Sequence, residues 1–161
     1  MSETLVVELA EILSQEQATL NQLKQVLQQE SVALSHHDIK TIESSASHKK
    51  RLLNAFSKQV NVRLRFLSTQ KQEASEQGMT QLLSTLPEDH QAPLKEQWQV
   101  LKQDFQTLLK ENERNGLIIH HSQLRTRNLL NILHGNKNQP NLYNESGAAQ
   151  GHLNSKTLGE A

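Results

Sequence analysis

Apolar residues recur every three or four positions through most of the first 134 residues, and this spacing restricts the fold more than any other feature of the sequence. A stripe with this period lies along one face of an α-helix. The first such stripe predicts a helix over about residues 3–34. Two glutamates interrupt it, and a polar residue in an apolar stripe commonly fixes the register of helix pairing. The stripe consists of Leu5, Leu9, Ile12, Glu16, Leu20, Leu23, Leu27, Glu30 and Leu34.

A second stripe follows a short polar break at Ser35, His36 and His37. Asp38 is a predicted N-cap, because its carboxylate can accept a hydrogen bond from an amide in the next turn. The pattern predicts a helix over about residues 38–68. Two long helices joined by so short a break predict an antiparallel hairpin. The predicted buried stripe of this second helix is Ile39, Ile42, Ala46, Lys49, Leu53, Phe56, Val60 and Leu67.

Two more helices are predicted, a short one over about residues 79–86 and a long one over about residues 92–134. Pro87 ends the short helix, and Pro93 fits the first turn of the long one. Gly135 is a predicted stop, with Arg125 and Arg127 placed to favour the negative end of the helix. The stripe of the long helix is Leu94, Trp98, Leu101, Phe105, Leu108, Asn112, Asn115, Ile119, Ser122, Thr126, Leu129 and Leu133.

The predicted fold class is all-α: a long antiparallel helical hairpin plus a third long helix, forming a three- to four-helix bundle or coiled-coil-like rod. Residues 1–134 form the bundle. Residues 135–161 are predicted to be a flexible, disordered tail, because their Asn, Gln, Gly, Ser and Lys content buries too little apolar surface.

Composition excludes several classes of function. Seventeen basic residues balance seventeen acidic ones, whereas nucleic-acid binders usually carry a basic excess. The chain has no Cys, which removes disulfides and thiolate chemistry. The N-terminus lacks the basic region of a signal peptide, and no apolar run reaches the roughly 20 residues that span a bilayer. We therefore expect a cytoplasmic protein with no membrane insertion and no nucleic-acid partner.

The eight histidines raise two chemical hypotheses. The adjacent pairs His36–His37 and His120–His121 point roughly 100° apart on a helix, which suits a shared metal ion poorly. His48 precedes Lys49, Lys50 and Arg51, a basic setting that would favour a phosphoryl group, but the spacing of a phosphotransfer histidine is absent. No phosphate loop, catalytic triad or carboxylate pair can be proposed. We expect no enzyme activity, no metal and no cofactor.

The long helix also carries apolar residues off its stripe, namely Leu117, Ile118, Leu124, Leu130 and Ile132. They either pack against the first helix or a second copy of the chain, or they form a surface for a partner helix. Gly116 favours a partner modestly, since a helix tolerates glycine where something packs close or a bend is useful.

Three stretches of the C-terminal half follow one another in a set order: Asn115-Gly116-Leu117-Ile118-Ile119, then Leu129 or Leu130 with Leu133, then Leu142-Tyr143 and Gly147. This combination resembles the C-terminal signature of the FlgN family of flagellar export chaperones. The N-terminal half is similar through Glu30, Asp38, Lys49 and Leu52-Leu53. The chain departs from the family pattern at Thr126, where Asn is usual, and at Asn144, where Gly is typical.

The resemblance implies a cytoplasmic chaperone that binds the helical C-terminal segments of the hook-associated proteins FlgK and FlgL. It would deliver them to the gate or ATPase components of the flagellar type III export apparatus, with Tyr143 contacting the export gate. We expect a monomer or weak homodimer; the alternative is a self-assembling coiled-coil scaffold. The predicted client-binding residues are Asn115, Gly116, Leu117, Ile118, Leu124, Leu130, Ile132 and Leu133.

Overall fold

The computed structural model describes residues 2–134, which form four helices: α1 (Ser2–His36), α2 (Ile39–Thr69), α3 (Glu76–Thr85) and α4 (Glu88–Leu133). Residues 2–134 contain no strand, so the predicted all-α fold is confirmed. The chain divides into two units, Met1–His120 and His121–Ala161, and residues 121–134 are the described part of the second. The tail predicted over residues 135–161 lies outside the described residues.

Helix α1 buries a wider face than the sequence predicted. Every member of its predicted stripe is buried except Leu5, which is half-buried. Leu13, Thr19, Val26 and Ala33 are buried as well. So wide a buried face lets one helix contact two others, and the contacts below show that α1 packs against both α2 and α4.

The turn between α1 and α2 has the predicted cap. His37 adopts a positive φ of 54°, which ends α1, and Asp38 then caps α2. The Asp38 carboxylate accepts hydrogen bonds from Thr41 N at 3.1 Å and from Thr41 Oγ1 at 2.6 Å. These hydrogen bonds lower the pKa of the Asp38 carboxyl, because they favour its ionised form.

Helices α1 and α2 are antiparallel, as predicted, but the predicted stripe of α2 is partly wrong. Ile39 is 64% exposed, Leu53 is 38% exposed and Ala46 is also exposed. A stripe through Leu52 and a stripe through Leu53 would both contain Lys49 and Phe56, so the sequence period fits either of them. Contacts with α1 select the stripe that is observed, and its buried members are Ser45, Leu52, Phe56, Arg63, Phe66 and Leu67.

Helix α4 completes a three-helix arrangement within residues 2–120. Gln97 Nε2 donates to Ser14 Oγ at 3.0 Å, and Gln17 Nε2 donates to Asp104 Oδ2 at 2.6 Å. Residue numbers rise together along the two helices, so α1 and α4 run parallel. Phe56 of α2 stacks on Phe105 of α4 with ring centroids 5.5 Å apart, and α2 runs antiparallel to both.

Helix α3 packs on this core. Ser75 is its N-cap, accepting a hydrogen bond from Gly78 N at 3.1 Å. A Cβ at Gly78 would overlap the Glu73 carbonyl oxygen, so this position requires glycine. The apolar side chains Met79, Leu82, Leu83 and Leu86 join the common core.

Helix α4 begins at Glu88, earlier than predicted, which places Pro93 inside the helix rather than in its first turn. The Pro87 carbonyl oxygen accepts a hydrogen bond from His90 N at 2.9 Å at the start of the helix. The acidic residues Glu88 and Asp89 in the first turn stabilise this end through the positive pole of the helix dipole. A proline in the second turn removes only one backbone hydrogen bond.

The last turn of α4 holds no basic residue. The stabilisation of this helix end predicted for Arg125 and Arg127 is therefore wrong, because interaction with the helix dipole falls off within the last turn.

Candidate functional site

One buried polar layer joins α1, α2 and α4 around Glu16. Arg63 Nε donates to Glu16 Oε1 at 2.8 Å, and the Arg63 guanidinium lies 4.6 Å from the ring centroid of Trp98. Glu16 is fully buried and Arg63 nearly so. Burial outweighs the attraction of Arg63 and raises the pKa of the Glu16 carboxyl above its ordinary value of 4.5.

A second buried polar layer is centred on Glu30. Lys49 Nζ lies 2.9 and 3.1 Å from the two Glu30 carboxylate oxygens. Asn115 Nδ2 donates to Glu30 Oε2 and to the Leu27 carbonyl oxygen, each at 3.0 Å. Because these bonds connect all three long helices, the layer fixes α4 in register with the α1–α2 hairpin.

The sequence predicted only one of the two charged partners in the Glu16 layer. Glu16 and Glu30 were predicted as register devices, but Arg63 was not identified as a partner. The signal was available: Glu16 and Glu30 are fourteen residues apart, as are Lys49 and Arg63. Matching spacings of opposite charge on two antiparallel helices indicate the register in which both pairs form.

The predicted client-binding residues of the first unit lie in different environments. Asn115 is fully buried and contacts α1, whereas Leu117 is 54% and Ile118 43% exposed. Gly116 is exposed, and a Cβ there would have no atom within 4 Å. The packing of the described residues therefore does not require glycine at this position.

In the second unit, α4 exposes a cluster of large apolar side chains. Leu129, Leu130, Ile132 and Leu133 are 57%, 48%, 71% and 80% exposed. At 100° per residue they occupy one sector of the helix about 160° wide. We call these four residues the apolar sector. Leu124 is half-buried and lies about 160° from the middle of the apolar sector, so one straight partner helix would not cover both.

The described residues offer little for catalysis or metal binding. Within residues 2–134, no three His, Asp or Glu side chains come close enough to hold a metal ion. His48 is exposed. Lys49 forms an ion pair with Glu30, so its charge does not contribute to the basic setting around His48 that would favour a phosphoryl group. None of the helices in this part of the chain combines the length and hydrophobicity that a membrane crossing requires.

A cavity of about 560 Å³ lies beside the end of α1 and the start of α2, and none of the predicted client-binding residues lines it. Its lining is mostly uncharged and holds no group of catalytic side chains. The lining residues are Gln25, Gln28, Gln29, Val32, Ala33, His36, Asp38 and Thr41.

The fold and its polar layers thus define an all-helical protein in which buried charges hold the helices in register and large apolar side chains are exposed on α4. The family model described as FlgN protein matches residues 1–151. The chain belongs to the FlgN family, whose members act as chaperones in flagellar export rather than as enzymes. The comparisons with curated proteins and with solved structures gave no match.

Proposed function

We propose that this protein is a cytoplasmic chaperone that binds the helical C-terminal segments of the hook-associated proteins FlgK and FlgL. It then delivers them to the gate or ATPase components of the flagellar type III export apparatus. Membership of the FlgN family supports the chaperone role. The client segments and the point of delivery are our inference.

The apolar sector is the observation that carries this proposal. Large exposed apolar residues that cluster usually mark a surface for a partner, because each buried Å² of apolar surface contributes roughly 25 cal/mol. Leu129, Leu130, Ile132 and Leu133 follow the spacing of helix-in-groove recognition. An assembly-prone helix with a complementary apolar stripe would be shielded by this contact.

The other predicted residues would contribute differently. Asn115 is buried, so its part is to hold α4 on the hairpin rather than to touch the client. Gly116 would allow a client backbone to approach α4 closely. Leu117, Ile118 and Leu124 would be separate client contacts, since one straight helix lying on the apolar sector would not reach Leu124. Because hand-off to the export apparatus requires release, we expect an interface of modest size.

Capture of client segments tests the proposal. The full chain is mixed with C-terminal helical segments of FlgK or FlgL, and complexes are separated by gel filtration. We expect Leu129→Asp with Ile132→Asp to abolish capture. The control is Val62→Asp, which places a charge at an exposed apolar residue on α2 (52% exposed) and should leave capture intact. Circular dichroism checks that both variants remain helical. Normal capture by the double variant would exclude the apolar sector as the client site.

Tyr143 lies outside the described residues, and its predicted contact with the export gate is tested separately. We expect Tyr143→Ala to bind FlgK and FlgL segments normally but to reduce their export in cells. Loss of segment binding in this variant would contradict a role confined to delivery.

The alternative is a self-assembling scaffold, which the same exposed apolar side chains could support. Sedimentation equilibrium at several concentrations distinguishes the two functions. A chaperone should be mainly monomeric at micromolar concentration, whereas a scaffold should remain multimeric upon dilution.

A further inference from the structure

Charge is distributed unevenly along this electrically neutral chain. From Arg114 to Asn144 the sequence contains no Asp or Glu, while it contains Arg114, Arg125, Arg127 and Lys137. The part of α4 before Arg114 mixes acidic and basic residues. The apolar sector therefore lies in a segment whose charges are all positive.

The two arginines of the second unit lie near opposite edges of the apolar sector. At 100° per residue, Arg125 lies about 20° inside the edge set by Ile132 and one turn before Leu129, whereas Arg127 lies about 60° outside the edge set by Leu130. Both side chains are exposed. This is the arrangement of flanking charges that selects partners in helix pairs, where opposite charges on the two borders favour pairing.

Contacts within the described residues do not account for these arginines. They lie before the last turn of α4, so their interaction with the helix dipole stabilises the helix only weakly. No carboxylate in residues 2–134 forms an ion pair with either one. Arg114, in contrast, lies within 3.4 Å of Ser31 Oγ on α1.

From this charge complementarity we infer that the apolar sector receives an acidic amphipathic helix, one with Asp or Glu along both borders of its apolar stripe. The inference rests on the proposed function and adds the chemistry that selects the client. Arg125 and Arg127 are specificity-determining residues: they favour helices with acidic borders and disfavour helices with basic borders.

Two synthetic helical peptides test the inference against the full chain. Both carry Leu and Ile along one stripe, but one has Glu and the other Lys along both borders. Binding is measured by fluorescence anisotropy at low and high salt. We expect the Glu peptide to bind about tenfold more tightly, since two attractions replace two repulsions. High salt should narrow this difference because the charges are exposed.

Charge reversal supplies the matched comparison. Arg125→Glu with Arg127→Glu should reverse the preference, so that the Lys peptide binds more tightly. Lys50→Glu with Arg51→Glu makes the same charge change at exposed positions of α2 and should leave the preference unaltered. Equal binding of the two peptides, or a preference that reversal does not move, would overturn the inference.

The outcomes separate this inference from the proposed function. Capture of FlgK or FlgL segments that requires Leu129 and Ile132 but ignores arginine reversal would sink the inference alone. A clear preference for the Glu peptide without capture of any hook-associated segment would support the inference and contradict the proposed clients. Binding to vesicles containing phosphatidylglycerol, lost on arginine reversal and without peptide preference, would overturn the inference in favour of a membrane surface.

Discussion

Arg63 of α2 reaches Glu16 of α1 in the interior of the helical unit, with Arg63 Nε 2.8 Å from Glu16 Oε1. The guanidinium also lies over the ring of Trp98, so one arginine connects all three long helices. A buried ion pair contributes little net stability, since the cost of removing two charges from water offsets their attraction. Its effect is to penalise any other register, in which one charge would be buried alone.

Replacing Arg63 alone should therefore be costly. Arg63→Met keeps an apolar side chain against Trp98 but leaves the Glu16 carboxylate buried without a counter-charge. We expect a loss of about 3 kcal/mol in the free energy of unfolding at pH 7.5, measured by urea denaturation. Adding Glu16→Leu should restore most of the loss, because the pair is then replaced by apolar groups. A double variant no more stable than Arg63→Met would contradict this explanation.

The raised pKa of Glu16 predicts a pH dependence of opposite sign to ordinary acid denaturation. The folded state binds the Glu16 proton more tightly than the unfolded chain does. This contribution to stability is fully present below pH 4.5, the ordinary pKa, and is lost as the pH rises through the raised pKa.

The measurement compares wild type with Glu16→Gln, which cannot titrate at this position. The stability of wild type minus that of the variant should fall as the pH rises from 4.5 and then level off. Titrations elsewhere cancel in this difference. The fluorescence of Trp98, the only tryptophan, reports unfolding in both proteins. A difference that stays constant with pH would rule out a shifted pKa.

Asn115 should matter for stability rather than for client contact. Asn115→Leu removes the two hydrogen bonds to Leu27 and Glu30, one of them to a charged group. We expect a loss of about 2 kcal/mol in the free energy of unfolding. The same exchange at the exposed Asn128 should change it by less than about 0.5 kcal/mol. Urea denaturation of both variants checks this, and equal effects at the two positions would argue against a special role for Asn115.

Gly116 should trade stability for client access. Its Cβ position is open, so Gly116→Ala should stabilise the free protein by about 1 kcal/mol through helix propensity. Under the proposed close approach, the added methyl group should weaken capture of FlgK or FlgL segments. Thermal unfolding and the capture assay are measured on the same preparation. Higher stability with undiminished capture would show that no client backbone packs against this position.

Helix α2 shows which structural features the sequence could predict and which it could not. The sequence predicted the helix and its Asp38 cap, because both depend on residues close together in the chain. It did not predict which face of α2 is buried. Leu52 and Leu53 are adjacent, and stripes through either one share Lys49 and Phe56, so the periodicity of α2 alone cannot distinguish them. The burial of Leu52 follows from contacts with another helix.

The candidate site shows the same division. The sequence located the apolar residues in the second half of α4 and the polar interruptions Glu16, Glu30 and Asn115. It placed Asn115 on the stripe of the helix but still predicted it to bind the client together with Leu117 and Ile118. The structure shows that Asn115 is buried, whereas Leu117 and Ile118 are exposed.

The sequence by itself determined the helices, the hairpin and the family, since helical period, turn residues and motif order are properties of the linear chain. Only the tertiary structure decided that α1 contacts two helices and that α4 runs parallel to it. These features depend on which faces of separate helices meet. A buried charge favours one register strongly, because any other register would leave the charge buried without a partner and destabilise the fold.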